Sequence, residues 1–135
     1  MSDKLIPARD LAFHLYEVLD VESLTQRPRF AEHDRSTFDG ALETARQLAE
    51  TYFEPFNRKA DENEPIFKDG TAITVPETKA AFKAYAEAGF LAAHHDAELG
   101  GMQLPFVVAD ACGALFKCAN ISFSAYPLLT VGAGN

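Results

Sequence analysis

The sequence is short of cysteine, of basic residues and of long apolar runs, and each shortage excludes a class of protein. Its two cysteines, Cys112 and Cys118, are six residues apart in one predicted helix and therefore lie on different faces. We expect both to be unpaired core residues, as in a reducing compartment. No segment approaches the roughly 20 apolar residues of a membrane span, and the opening MSDKLIPARD lacks a signal peptide's apolar stretch. We therefore expect a cytoplasmic protein without a membrane span.

The balance of charge disfavours nucleic acid as a partner. Twelve basic residues stand against 20 acidic ones, which gives a net charge of -8, and the basic residues are scattered along the chain. Such a surface repels a phosphate backbone. Hydrophobic residues make up 47% and charged residues 24% of the chain, as in ordinary globular proteins. A length of 135 residues suffices for one domain with a core of its own.

Helical periodicity begins near the start of the chain. Residues 9–19 carry apolar side chains at helical spacing, and the polar stretch 21–34 is typical of a connector. We therefore assign residues 1–35 to an N-terminal extension with one short helix. Residues 36–135 form a helical domain that we expect to be truncated at its C-terminal end.

A second helix is predicted from Ser36 or Thr37, whose hydroxyls can cap free backbone N–H groups. Its 3.6-residue period continues until Pro55, which ends the helix or kinks its last turn. The acidic stretch 57–74 is predicted as a loop. At the end of this stretch, we expect residues 72–75 to form a short extended piece and no sheet.

A capping box predicts the start of the third helix, and a glycine predicts its end. Thr74 and Glu77 have the spacing at which the two side chains bond each other's backbone N–H groups. Gly89 is a natural left-handed stop, and Phe90 follows it as the usual apolar contact.

The last two predicted helices are unusually apolar. Pro105 opens the fourth, residues 106–118, which has apolar residues nearly all round and must be buried on most sides. Residues 121–135 contain no charge, and a final helix is predicted over 126–133. Together the patterns predict an all-α bundle of four to five helices with long loops. We expect another domain or subunit to cover its apolar end.

Local clusters that resemble metal sites do not meet the requirements of one. A calcium loop starting at Asp61 needs glycine where Ile66 stands and glutamate where Ala72 stands. The run His94-His95-Asp96 lacks a second histidine at helical spacing, so we expect surface or interface histidines. We predict no metal site.

Two further clusters resemble catalytic or phosphate-binding motifs without their essential parts. Gly100-Gly101 follows no strand and has no Lys-Ser/Thr after it, so it predicts a turn rather than a phosphate loop. Ser122 and Ser124 have no visible base or oxyanion hole and are expected to cap the last helix and satisfy buried backbone. We assign no catalytic residue.

The order of several short segments resembles the N-terminal domain of acyl-CoA dehydrogenases. They are FKAYAEAGFL at 82–91, DAELGGMQLP at 96–105 and ANISFSAYPLLTVGAGN at 119–135. RDLAFHLYEVLD at 9–20, PFN at 55–57 and FKDG at 67–70 resemble the longer bacterial subgroup, which includes enzymes acting on 3-methylmercaptopropionyl-CoA. The resemblance covers essentially the whole chain.

The resemblance implies a flavin-dependent enzyme that dehydrogenates the α and β carbons of an acyl-CoA thioester. FAD and the catalytic glutamate would lie mainly outside this segment, which would be inactive alone. The implied partners are the acyl-CoA substrate, the remainder of the enzyme or another subunit, and electron-transfer flavoprotein, in a homo-oligomer. By order along the chain, the resemblance places Phe123, Ser124, Tyr126, Pro127 and Val131 in the wall of the acyl-chain cavity.

Three alternatives remain open at the level of sequence. The five residues can be plain core packing. The chain can be a stand-alone, non-catalytic helical module that binds a partner through its last two helices. A flavoprotein of the same fold with another activity, such as an acyl-CoA oxidase or a nucleic-acid-associated relative, fits the pattern as well, although the acidic charge argues against the latter.

Overall fold

Helices make up most of residues 4–134, the part of the chain that the computed structural model describes. The predicted all-α class is confirmed. The described part excludes residues 1–3, where the predicted extension begins, and residue 135, where the predicted domain ends. The elements are α1 (Ala8–Ala12), α2 (Arg35–Leu48), α3 (Asn57–Glu62), β1 (Ile66–Lys68), β2 (Thr71–Ile73), α4 (Glu77–Glu87), α5 (Phe106–Ala119) and α6 (Ile121–Ala133).

Short helical turns extend or connect these elements. Two π-helical turns, Phe13–Val18 and Ala49–Phe53, continue α1 and α2. Within residues 4–134 there are five 3₁₀ turns, Val21–Gln26, Pro28–Phe30, Glu54–Phe56, Phe90–Ala92 and Ala97–Leu99. The stretch 21–34 that the sequence predicts as a plain connector is therefore largely helical, although its turns are too short to show a period.

The N-terminal residues pack on the same core as the rest of the chain. Leu15 and Val21 are buried in it, whereas Val18 and Leu19 of the predicted apolar face are exposed. The buried guanidinium of Arg46 donates a hydrogen bond of 2.6 Å to the carbonyl of Ile6. We retain the division at residue 35 as a proposal about domains.

The N-terminus of α2 is capped by Asp34 and not by the predicted Ser36 or Thr37. The carboxylate of Asp34 accepts hydrogen bonds from the Thr37 N–H (2.9 Å) and from both hydroxyls. These bonds lower the pKa of Asp34, and the bond from the Ser36 hydroxyl contributes most. Asp34 has extended backbone, which a cap residue needs, while the two hydroxyl residues already lie in the first turn.

Pro55 redirects the chain without ending the helical run. The backbone passes from the π-helical turn 49–53 through the 3₁₀ turn 54–56 into α3, which the sequence predicts as loop. Burial of Phe56 holds the turn against the core. An ion pair of 2.8 Å between Arg58 and Glu62, one turn apart, supports α3.

Residues 66–73 form a two-stranded antiparallel hairpin, so the prediction of an extended piece without a sheet is wrong. Ile66 pairs with Ile73 and Lys68 with Thr71. The connecting residues Asp69 and Gly70 both have positive φ, 50° and 77°, as a tight hairpin turn requires. The hairpin lies on the surface with all six strand residues exposed.

The predicted capping box of α4 does not form, whereas the predicted end of that helix is confirmed. No side chain caps the N-terminus at Pro76. Glu77 instead accepts a hydrogen bond of 2.7 Å from Lys59 of α3, which lowers the pKa of Glu77. Gly89 has φ of 85° and Phe90 is buried behind it, as the stop signal predicts.

The final helix begins five residues before the predicted start at Tyr126, because a buried asparagine caps it. The side chain of Asn120 accepts a hydrogen bond from the Phe123 N–H (2.9 Å) and donates one to the Phe53 carbonyl (3.1 Å). Pro127 therefore lies inside α6 and not in its first turn. The cap formed by Asn120 and the burial of Phe123 together outweigh the usual penalty of about 3 kcal/mol for an interior proline.

Aromatic rings form the centre of the core. The ring of Phe53, fully buried, lies 4.8 Å from that of Phe116 and 4.7 Å from that of Phe123. Tyr85 packs edge-on against Phe116 at 4.9 Å, and Phe90 does so at 5.2 Å. The Phe53 ring thus joins the end of α2 to α5 and α6.

The two cysteines differ in environment. Cys112 is buried in the core as predicted, and burial raises the pKa of its thiol to about 12. Cys118 is exposed, so the prediction of a core position is wrong for this residue. Both are free thiols.

We predict that Phe53→Ala destabilises the protein by about 3–5 kcal/mol, because it removes the ring that three helices share. Phe67→Ala removes the same ring from the hairpin, where Phe67 is 80% exposed, and should change stability by less than about 0.5 kcal/mol. Urea unfolding of both variants measures the difference. Equal losses would show that the Phe53 cluster is not the centre of the core.

Candidate functional site

The five residues predicted to line the acyl-chain cavity all lie on α6, but they fall on two of its faces. Ser124, Pro127 and Val131 follow one another at spacings of three and four residues and line one pocket. Phe123 and Tyr126 line a different pocket. The structure thus brings three of the predicted residues together and separates the other two.

The first of these, the α5–α6 pocket, has a volume of about 170 Å³. Aromatic and small side chains of α5 form one wall, α6 forms the other, and the end of α4 with the turn after it closes the inner end. Apolar cavities of about 150 Å³ can hold a benzene-sized ligand. The described residues that line it are Tyr85, Phe90, Ala93, His94, Phe106, Ala109, Asp110, Gly113, Phe116, Lys117, Ser124, Pro127, Leu128, Val131 and Gly132.

Most polar side chains of this pocket are engaged with protein groups. Lys117 Nζ lies 3.3 Å from a carboxylate oxygen of Asp110, in a partly exposed ion pair at the rim. The hydroxyl of Ser124 lies within hydrogen-bond distance of the Phe116 and Asn120 carbonyls, at 2.9 and 2.7 Å. The prediction that Ser124 satisfies buried backbone is therefore confirmed, while the cap itself is Asn120.

The inner end of the α5–α6 pocket consists of residues for which the sequence contains no clear signal. Tyr85 and Phe90 come from α4 and the turn after it, and Phe116 comes from α5. Their apolar character predicts burial, but periodicity does not say which of them meet in space. The nearly complete apolar surface of α5 was the one available indication that another element packs beside it.

The second pocket, the α3–α6 pocket, lies on the opposite side of α6 and has a volume of about 200 Å³. Phe123 is buried at its base and Tyr126 is partly exposed at its edge. Its other lining residues include Asp61 of α3 and Asn63 and Glu64, which follow that helix. This pocket is more polar than the first and suits an apolar chain less well.

The Gly100-Gly101 turn is filled by protein backbone and offers no cradle for a phosphate. A methyl group added at Gly101 would lie 2.2 Å from the carbonyl oxygen of His95. Arg29, from the N-terminal part of the chain, stabilises the turn through two contacts. Its guanidinium forms an ion pair with Asp96, and its carbonyl accepts a hydrogen bond of 2.7 Å from the side chain of Gln103. This turn therefore does not fit the pyrophosphate of a flavin dinucleotide.

The acidic and histidine clusters have structural partners. His94 and His95 stack on each other with ring centres 4.5 Å apart, and Asp96 pairs with Arg29. Asn63 donates a hydrogen bond to the Lys59 carbonyl. Within residues 4–134, no group of three or more histidine, cysteine, aspartate or glutamate side chains is placed to hold a metal ion.

Part of the lining of the α5–α6 pocket, together with a neighbouring residue of α6, forms an uncovered apolar surface. Phe106 at the start of α5 and Leu128 and Leu129 on α6 are exposed, Leu129 to 72%. Burial of such side chains is worth about 1.5–3 kcal/mol each. No helix in residues 4–134 is long and apolar enough to cross a membrane.

Two curated proteins are similar to the chain in sequence. A 3-methylmercaptopropionyl-CoA dehydrogenase of Ruegeria pomeroyi is 30% identical over 130 residues, or 94% of this chain. FadE5, a broad-specificity linear acyl-CoA dehydrogenase of Mycobacterium tuberculosis, is 33% identical over 113 residues, or 82% of this chain. No family model matches the chain.

These matches confirm the resemblance of the chain to acyl-CoA dehydrogenases. They also confirm the resemblance to the subgroup that contains the 3-methylmercaptopropionyl-CoA enzyme. The chain spans about a fifth of the length of these relatives, 22% of the first and 18% of the second.

We predict opposite effects for alanine at two glycines. Gly101→Ala should destabilise the protein by about 1–3 kcal/mol, because the new methyl group meets backbone that cannot move aside. Gly40→Ala, inside α2 with no atom within 4 Å of the added carbon, should stabilise it by about 0.5–1 kcal/mol. Chemical denaturation compares the two. A Gly101→Ala variant as stable as wild type would contradict the filled-turn geometry.

Proposed function

We propose that this chain forms the helical part of a flavin-dependent acyl-CoA dehydrogenase, in which it lines the acyl-chain cavity. The observation that carries the proposal is the apolar α5–α6 pocket, in a chain similar to acyl-CoA dehydrogenases over 94% of its length. The complete enzyme would remove hydrogen from the α and β carbons of an acyl-CoA thioester. The segment would contribute binding and not chemistry.

The three residues that share the pocket have the clearest role in this proposal. Pro127 and Val131 offer apolar surface to the acyl chain, and Ser124 fixes the backbone beneath it. Phe123 holds α6 to the core, so we assign it a positioning role. Tyr126 would contact the substrate only if the acyl chain extended toward the α3–α6 pocket. Excluding water around the acyl chain strengthens polar interactions at the reacting end.

FAD and the catalytic base would be held by parts of the enzyme outside this segment. Two observations support this division between the segment and the rest of the enzyme. The Gly100-Gly101 turn is filled by backbone, and the α5–α6 pocket has a volume of only about 170 Å³. FAD would take up the hydride from the β carbon. Electron-transfer flavoprotein would be the acceptor of its electrons, and the enzyme would be a cytoplasmic homo-oligomer.

The uncovered apolar surface supports a further part of the proposal. Phe106, Leu128 and Leu129 would be covered by the remainder of the enzyme or by another subunit. That contact would close the mouth of the α5–α6 pocket. The relatives are named for a short thioether acyl group and for linear acyl groups, and both names favour an unbranched acyl chain.

The test uses the polypeptide encoded by the whole reading frame that contains this chain. We expect a bound flavin whose visible absorption is bleached by an acyl-CoA under anaerobic conditions. Residues 1–135 alone should bind no flavin. A colourless whole polypeptide would contradict the proposal and favour a helical interaction module. A bleached flavin that reoxidises rapidly in oxygen would identify an oxidase.

A filled pocket tests the role of α6 in the same protein. Val131→Trp should lower kcat/KM about tenfold or more, because overpacking a binding wall costs about 1–3 kcal/mol. Val18→Trp places the same side chain at an exposed site on the N-terminal helical turn and should leave kcat/KM unchanged. Equal kinetics for the two variants would show that the α5–α6 pocket is not the acyl cavity.

A further inference from the structure

A further pocket, the α1–α2 pocket, lies between the first two helices and takes no part in the proposed acyl binding. Its volume is about 250 Å³. Leu11 and Ala12 of α1, Leu42 of α2 and Leu115 of α5 supply apolar surface to it. Arg46 of α2 lines the same pocket and brings a positive charge to these apolar walls.

Arg46 is a buried charge without an opposite charge beside it. The residue is only 4% exposed, and its Nη2 donates a hydrogen bond of 2.6 Å to the carbonyl of Ile6. Within residues 4–134, its side chain forms no second hydrogen bond and no ion pair. A guanidinium carries five N–H donors, so most of them are available to a ligand. Buried charges in proteins are ordinarily paired, because an unpaired one is costly.

The geometry directs these donors toward the α1–α2 pocket. The side chain of Arg46 starts on α2 and ends at Ile6, two residues before α1 begins at Ala8. It therefore crosses the gap between the two helices, which is the space that the pocket occupies. Ala8 also lines the pocket, so the pocket reaches the end of the gap where the guanidinium is bonded. No nitrogen of Arg46 is among the fully enclosed, unpartnered atoms of residues 4–134, so its unbonded nitrogens contact open space.

The acidic side chains of the same pocket are engaged by other residues. Asp39 accepts a hydrogen bond of 2.6 Å from the hydroxyl of Tyr16 and lies 3.7 Å from the guanidinium of Arg35. Glu43 accepts a hydrogen bond of 2.9 Å from Gln47. Both carboxylates repel a second negative charge, so they favour a ligand with one negative charge over a dianion such as phosphate.

We propose that the α1–α2 pocket binds a small monocarboxylate with a short apolar tail. The planar carboxylate matches the fork of the Arg46 guanidinium, which donates charge-assisted hydrogen bonds to it. The tail packs against Leu11, Leu42 and Leu115. A cavity of about 150 Å³ holds a benzene-sized molecule, so the α1–α2 pocket has room for both parts of the ligand. This site goes beyond the proposed function and does not depend on it.

The test compares butyrate with butyramide, which has the same size and no charge. Binding to the ¹⁵N-labelled chain of 135 residues is measured by NMR titration of the amides of α1 and α2. We expect butyrate to bind about tenfold more tightly or better, because hydrogen bonds to a charged group are the stronger ones. Equal affinities, or the absence of shifts with both probes, would overturn the inference.

Two arginine variants test the source of the preference. Arg46→Met removes the charge and keeps an apolar stem, so it should abolish the preference for butyrate. Arg58→Met removes an exposed guanidinium from α3 and should leave the preference intact. A preference that persists in Arg46→Met overturns the inference.

A filled pocket provides the second test, since Arg46→Met also loses the bond to Ile6 and can fail to fold. Ala12→Trp fills the pocket from α1 without changing Arg46 and should abolish butyrate binding. Val18→Trp adds the same side chain at an exposed site and should retain it. Butyrate binding retained in Ala12→Trp overturns the inference. Butyrate that binds the 135-residue chain but not the whole polypeptide also overturns it, because Arg46 then pairs with a side chain of the remainder.

Discussion

The buried side chain of Asn120 determines how the C-terminal half of the molecule is arranged. Its amide donates to the carbonyl of Phe53 and accepts from the N–H of Phe123, so it fixes the end of α2's helical run to the turn between α5 and α6. Both bonds lie where water cannot replace them, and loss of either would leave a buried polar group unsatisfied. The rings of Phe53, Phe116 and Phe123 then close around this point.

The direction of α6 follows from that junction, and the candidate site follows from the direction of α6. With its first turn held by Asn120, the helix presents Ser124, Pro127 and Val131 toward α5 and Tyr126 away from it. The core side of the pocket is closed by rings that already pack on Phe116. The outer side remains apolar and exposed at Phe106 and Leu128, in a chain that spans about a fifth of the length of its relatives.

The sequence allowed the fold class and most helices to be predicted, because amphipathic periods, Pro105 and Gly89 act locally. It failed where a tertiary contact overrides a local signal. Tyr126-Pro127 looks like a helix start, but the decisive cap is Asn120, whose role depends on a carbonyl 67 residues away. Glu77 was predicted to cap α4 and instead pairs with Lys59 of α3. The same limit applies to the site: α6 was identified, whereas Tyr85 and Phe90 reach the pocket only through packing of α4 against α5.

The central claim is that the space between α5 and α6 holds the acyl chain of a thioester. The most direct test is a crystal structure of the whole polypeptide with a bound acyl-CoA. The account predicts acyl carbon atoms in van der Waals contact with Pro127 and Val131, with the inner end of the chain directed toward Tyr85. An acyl chain bound elsewhere, with the α5–α6 pocket filled by protein side chains, would contradict it.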